Sequence, residues 1–276
     1  MKKYLLWVLI ASALFLMLFL ESKRQCPLSK SSPRQESTSL KEREEIKPLA
    51  EGLSLLKYRK DKEAAAIFEA ILLKEPYNPD ALWGKAEALR RQRDYQQAEE
   101  SLTKILAQEP RHISALISLA YIRYKDDRLN EALKLIDNAL DCQNINRENQ
   151  ALCYMMLGTI NSRRSGKGTF LNKVIYGTRI KSYFLRAKEL CPDLPEVRLG
   201  LGTFYLLAPA IVGGSLDKAI VELEETIKMA PDFATANARL AQAYRKKGFL
   251  DKCELYLKRA QELDPENEAL QEMLKE

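Results

Sequence analysis

The sequence predicts an all-α protein: a right-handed α-α superhelical solenoid of about six helix pairs, preceded by an N-terminal transmembrane helix. Three observations carry this. Pro76 and Pro110 lie 34 residues apart, and so do Pro231 and Pro265. Small residues keep the same period, with Gly52, Ala86 and Ala120 in one row and Ala64, Ala98 and Ala132 in a second. The third is the unbroken apolar run from Tyr4 to Leu20. A 34-residue unit holds two helices and a turn and is too small to bury its own apolar face. Successive units therefore stack and share a core.

Residues 1–20 form the first element. Lys2 and Lys3 precede the apolar run, whose seventeen residues span ~26 Å as a helix, at the short end of what crosses a bilayer. The competing reading is a cleaved leader. Ala11-Ser12-Ala13 has the small-x-small form but lies inside the run, and the following Glu-Ser-Lys-Arg-Gln-Cys offers no small-residue cleavage site. The expectation is an uncleaved signal-anchor in a single-pass inner-membrane protein. A short N-terminus kept in the cytoplasm would put the repeats on the extracytoplasmic, periplasmic side. Residues 21–44 are polar, without apolar periodicity, and read as a flexible linker.

Residues 45–265 carry the repeats. The first has Gly52, Ala64, Phe68 and Pro76; the second Ala86, Ala98, Leu102 and Pro110; the third Ala120, Ala132, Ile136 and Ala139, with Asn144 in place of proline. The last has Leu240, Ala241, Tyr244, Leu257, Ala260 and Pro265, with Cys253 at a small-residue position. Small residues suit close helix crossings, large ones fill the gaps between pairs, and proline ends the second helix. The pattern resembles the tetratricopeptide repeat (TPR) family. That resemblance implies a scaffold or adaptor that binds protein partners, without catalysis or cofactors.

Two repeats are stretched. The small residue of the first helix steps from Gly158 to Gly202 to Ala241, where 34 residues is the rule. The extra residues fall between the helices of the fourth and fifth pairs, near 162–175 and 209–215. Such insertions emerge on one rim. Residues 266–276 read as a capping helix, with Leu270, Met273 and Leu274 covering the last repeat.

The charge is uneven. Residues 163–188 hold eight Lys/Arg and no acid, although the whole chain is only +6. Arg163, Arg164, Lys167, Lys173, Arg179 and Lys181 form a basic rim interleaved with Phe170, Leu171, Val174, Ile175 and Tyr176. One reading is contact with an anionic membrane surface; the other is an ordinary solvated insertion. Ser165–Thr169 is not a P-loop, because Asn161 stands where a glycine is needed and Gly168 where Ser or Thr is needed. Nucleic acid is disfavoured, since the rest of the chain is acidic.

The turn Ala208–Leu216, with Pro209, Gly213, Gly214 and Ser215, resembles a variant repeat of TPR proteins associated with TRAP transporters. It implies the alternative function, a ligand-binding accessory of a bacterial solute transporter.

In the family, fixed positions of the first helices line the concave groove. Here they give Leu49, Leu53 and Leu56, then Trp83, Glu87 and Arg90, then Ile117, Tyr121 and Tyr124. Leu152, Met155 and Thr159 follow, with Leu199, Thr203 and Leu206, and finally Gln242 and Arg245. Members that clamp a peptide carboxylate use Asn at a position that holds Leu53, Glu87, Tyr121, Thr159 and Thr203 here. The candidate partner site is Leu53, Trp83, Ile117, Tyr121, Tyr124, Met155 and Leu199. It could seat an amphipathic protein or peptide segment, or a small apolar ligand. In a tightly wound solenoid the groove would instead fill itself. An adaptor needs a groove open along its length, whereas a carrier needs a closed pocket. With one histidine, His112, and five scattered cysteines, no metal, cofactor or catalytic constellation is recognisable.

Overall fold

The computed structural model describes residues 47–166 and 170–275, with side chains at all of these except 170–178. A helix at 47–57, α1, opens the described residues. It is followed by α2 (Asp61–Lys74), α3 (Pro79–Arg91), α4 (Tyr95–Gln108), α5 (Ile113–Lys125) and α6 (Leu129–Leu140). Next come α7 (Arg147–Gly166), α8 (Phe170–Leu190), α9 (Pro195–Leu207) and a 3₁₀ turn (Ala210–Val212). The last are α10 (Leu216–Met229), α11 (Ala234–Lys247), α12 (Leu250–Leu263) and α13 (Glu268–Lys275). The fold is all-helical among the described residues, and Pro48–Glu276 form one compact unit.

Local chemistry sets the boundaries. The helices α2, α4, α8, α10 and α12 each stop two residues before a proline, namely Pro76, Pro110, Pro192, Pro231 and Pro265. The helices that follow are capped where the sequence supplies an acceptor. Asn78 accepts from the Ala81 amide at 3.0 Å, and His112 Nδ1 from the Ala115 amide at 3.2 Å. Ser215 does the same for Lys218 at the start of α10. Inside the first three pairs the chain turns through Arg59, Arg93 and Asp127, with φ of 63°, 67° and 62°. These three left-handed residues, spaced 34 apart, mark the repeat in the backbone itself.

Helices pack as consecutive neighbours, and the first helices of the pairs also touch one another: α3 with α5, α5 with α7, α7 with α9, α9 with α11. The second helices make no such contacts, so the first helices lie on the shorter, inner side of the curve. Two junctions between pairs share one device. The Phe68 ring, fully buried, is wedged between Gly52 of α1 and Gly84 of α3. A Cβ at Gly84 would fall 2.3 Å from that ring, and one at Gly52 would fall 2.8 Å from it. Phe184 of α8 repeats this between Gly158 and Gly200, where an added Cβ would lie 2.8 and 2.9 Å away. Where the wedge is the smaller Leu102 or Ile136, the facing rows hold Ala86 and Ala120 instead.

The first insertion lengthens both helices of its pair: α7 has 20 residues and α8 has 21, against 12 to 14 in the ordinary repeats from α2 onward. Helix propensity and mutual packing carry the added residues onward as helix. At the C-terminus Leu270 and Met273 are buried against the last pair, but Leu274 is 51 % exposed. In this short helix, 270 and 273 share the packed stripe, and 274 falls beside it. Cys142 and Cys153 are free buried thiols, and Cys253 packs in the core. The anchor (1–20), the linker (21–44), Lys167 and the side chain of Lys173 lie outside the described residues. No helix among the described residues is long and apolar enough to cross a membrane.

Candidate functional site

The inner face is less apolar than its residue positions suggest. At the second repeat it carries a buried charge cluster. Glu87 of α3 accepts two hydrogen bonds from Arg90, at 2.8 and 2.5 Å, and one from Arg91 Nε at 2.8 Å. A fourth comes from the Ser118 hydroxyl at 3.0 Å, and Ser118 in turn accepts from Trp83 Nε1 at 3.0 Å. Burial alone would push the Glu87 carboxyl up, but the Arg90 and Arg91 charges and their hydrogen bonds outweigh it. They hold Glu87 far below the usual carboxylate range. Arg91 also donates to the Leu56 carbonyl at 2.6 Å and to Asp61 at 3.1 Å, tying the second pair to the first. The Arg90 guanidinium lies over the Tyr121 ring at 4.1 Å.

Three contacts cross the mouth of the groove. Arg59, in the turn of the first pair, donates to Glu196 of α9 at 2.5 Å and sits over the Phe233 ring at 3.7 Å. Arg93 pairs with Asp264, and Lys125 with Glu268 of α13. The early turns thus meet the turns and helix starts of the later pairs, and the coil closes on itself within its own length. Burial, then the like charge of Arg91, lower Arg59 to about 10, with Glu196 and Asp61 opposing. Glu196 is lowered because the Arg59 and Arg91 charges outweigh its burial.

The predicted groove residues divide accordingly. Ile117 is buried, as are Leu56 and Leu206. Trp83, Tyr121, Tyr124, Met155 and Leu199 are half-buried, and Leu53 is 36 % exposed. Tyr121 and Tyr124 meet at a ring separation of 6.2 Å and share a cluster with Ile117 and Met155. Met155 also packs with Leu199 in the next cluster, and Trp83 bridges the first two. The basic rim splits as well. Arg163 folds inward, donating to the Tyr124 carbonyl at 2.8 Å with its guanidinium 4.7 Å from the Tyr124 ring centre. Arg164 is exposed. Arg179 rests on Tyr183, with Nε 3.1 Å from its hydroxyl, and Lys181 lies against Gly213.

Arg59, Asp61, Arg91 and Glu196 are the inner-face residues that the repeat pattern does not reveal. The left-handed turn position of Arg59 is periodic, but its partner lies 137 residues away. The residues of the 209–215 turn have local structural work. Gly213 has φ 103°, and a Cβ on Gly214 would fall 1.8 Å from the Ala208 carbonyl.

Models of the tetratricopeptide repeat match residues 89–152 and 213–276 in one case and 49–104 in another. Among curated proteins no match is found. Among solved structures the chain is similar to a human IFIT1 dimer with m7Gppp-AAAA, at TM-score 0.60 and 19 % identity over 78 % of this chain and 50 % of that one. It is similar to a chain of the APC/C hetero-tetramer Cut9–Hcn1, at TM-score 0.58 and 16 % identity over 84 % and 42 %. The type IV pilus biogenesis factor PilW matches at TM-score 0.51 and 17 % identity over 83 % and 98 %. At these identities the likeness is one of fold.

Proposed function

Since the chain belongs to the tetratricopeptide repeat family, we propose that it is a membrane-anchored adaptor whose inner face takes an amphipathic segment of a protein partner. The observation that carries this reading is the row of half-buried Trp83, Tyr121, Tyr124, Met155 and Leu199 beside the cluster of Glu87, Arg90 and Arg91. Aromatic and sulfur side chains offer large, adaptable contact area. With Asp61 paired to Arg91, the cluster has no net charge to demand a particular terminal group. The partner is therefore read by shape and apolar spacing rather than by its carboxylate. Because Arg59, Arg93 and Lys125 cross the mouth, a bound segment threads beneath these pairs or displaces them.

In this reading residues 1–20 hold the protein in the inner membrane and the repeats work on the extracytoplasmic side, without catalysis. The alternative, a ligand-carrying accessory for a small apolar molecule, has only the Pro209–Ser215 turn behind it, and that turn has the conformational reasons already given.

Photo-crosslinking in the native membrane fraction tests the adaptor. A photoreactive residue at Leu53, Met155 or Leu199 should yield protein adducts absent from the same probe at Leu73, an outer position 87 % exposed. Equal labelling at all four positions would remove the inner face as the partner site.

A further inference from the structure

The second insertion packs on α8, the helix into which the first insertion runs. The 3₁₀ turn Ala210–Val212 packs on α8, and the two elements line an open cavity of about 490 Å³ with Lys181, Ser182, Leu185, Ile211 and Gly213. Within this turn two neighbouring residues do opposite things. Val212 is buried at 5 %, while Ile211 is 70 % exposed. The turn cannot relax to hide Ile211, because Gly213 is left-handed and Gly214 packs directly on the Ala208 carbonyl. A rigid turn therefore holds an isoleucine outward, next to the half-exposed Leu207 and Leu185. Beside it stands Lys181, and Arg179 lies two residues earlier on α8, in a segment that contains no acid from 163 to 188.

We propose that this turn docks on an anionic lipid surface, with Ile211 entering the interfacial layer and Arg179 and Lys181 meeting head-group phosphates. An apolar tip beside basic side chains is what such a surface selects. Burial and charge attraction add there, and each cation contributes about fivefold in partitioning. The inference rests on the anchor reading in one respect. If residues 4–20 span a bilayer, the 26 residues from 21 to 46 reach at most ~90 Å, so the surface stays close and a weak patch suffices.

The test uses the full chain in nanodiscs of phosphatidylcholine, with or without phosphatidylglycerol, read by amide hydrogen exchange. Residues 208–214 should exchange about tenfold more slowly with the anionic lipid only. Ile211→Ser and the pair Arg179→Glu/Lys181→Glu should each abolish the difference while leaving the melting temperature in place. Equal exchange in the two lipids overturns the proposal, as does protection that survives both variants. If the full chain does not enter nanodiscs, the anchor reading fails by itself. Co-sedimentation of that chain with vesicles of the same two compositions then decides: pelleting that needs phosphatidylglycerol and is lost in the charge-reversed pair supports docking, and absence of pelleting overturns it.

Discussion

The wedge of Phe68 between Gly52 and Gly84 and the cluster of Glu87 with Arg90 and Arg91 lie within one repeat of each other, yet they hold the solenoid together in opposite ways. The wedge is apolar and local, and it recurs at Phe184 between Gly158 and Gly200. Its stability comes from area removed from water and from the fit of a ring to two missing side chains. The cluster is charged and belongs to the second repeat. Its ions lost their hydration on burial, so its net contribution is small while both signs are present and strongly unfavourable if one is removed. Tolerance to substitution should therefore differ more between the two regions than stability does.

The largest effect is expected where that asymmetry is broken. Glu87→Ala leaves the buried Arg90 without its carboxylate and Arg91 dependent on Asp61, and should cost about 3–5 kcal/mol in denaturant unfolding. A loss under about 1 kcal/mol would show that water reaches the cluster and that the contrast is overdrawn. Next comes the wedge. Gly52→Ala should cost about 1–3 kcal/mol, and adding Phe68→Leu should recover part of it, because one period on Leu102 already packs in one cluster with Ala86. Strict additivity of the two substitutions would mean that ring and glycine do not compete for the same space. The smallest effect is a slope. Glu87 and Glu196 have folded pKa values below their usual 4.5, so the stability they contribute is present above about pH 4.5 and is lost as pH falls through the folded values. Asp61, raised mainly by burial, works weakly in the other direction. Thermal melts from pH 5 to pH 2 should fall more steeply for the wild type than for Glu87→Gln, and the wedge variants should keep the wild-type slope.

The same contrast explains what could be read from the sequence. The row of Gly52, Ala86 and Ala120, the large residue at Phe68 and Leu102, and the prolines all repeat, because each pair meets the next in the same way. A feature that obeys a period is visible without knowing the curvature. Glu87 and Arg90 were also placed on the inner face by that period, but as members of an apolar groove. Their true setting depends on Arg91, Asp61 and Ser118 from three different helices, and on Glu196, which arrives only once the coil has turned. Curvature accumulates from small rotations at each junction, so contacts such as Arg59 with Glu196 carry no periodic mark. Spacing locates the first insertion, between Gly158 and Gly202, but whether added residues loop out or lengthen two helices is decided by what those helices find to pack against.

The contacts across the groove mouth also bear on how the protein comes apart. A linear array of helix pairs frays from either end, each terminal pair leaving without notice to the other. Here the turn of the first pair is bonded to α9, the turn of the second pair to the residue Asp264 after the last, and the end of α5 to α13. Loosening either end therefore withdraws partners from the opposite half. Thermal unfolding is therefore expected to be coupled head to tail, and breaking these three pairs should separate the melting of the two ends.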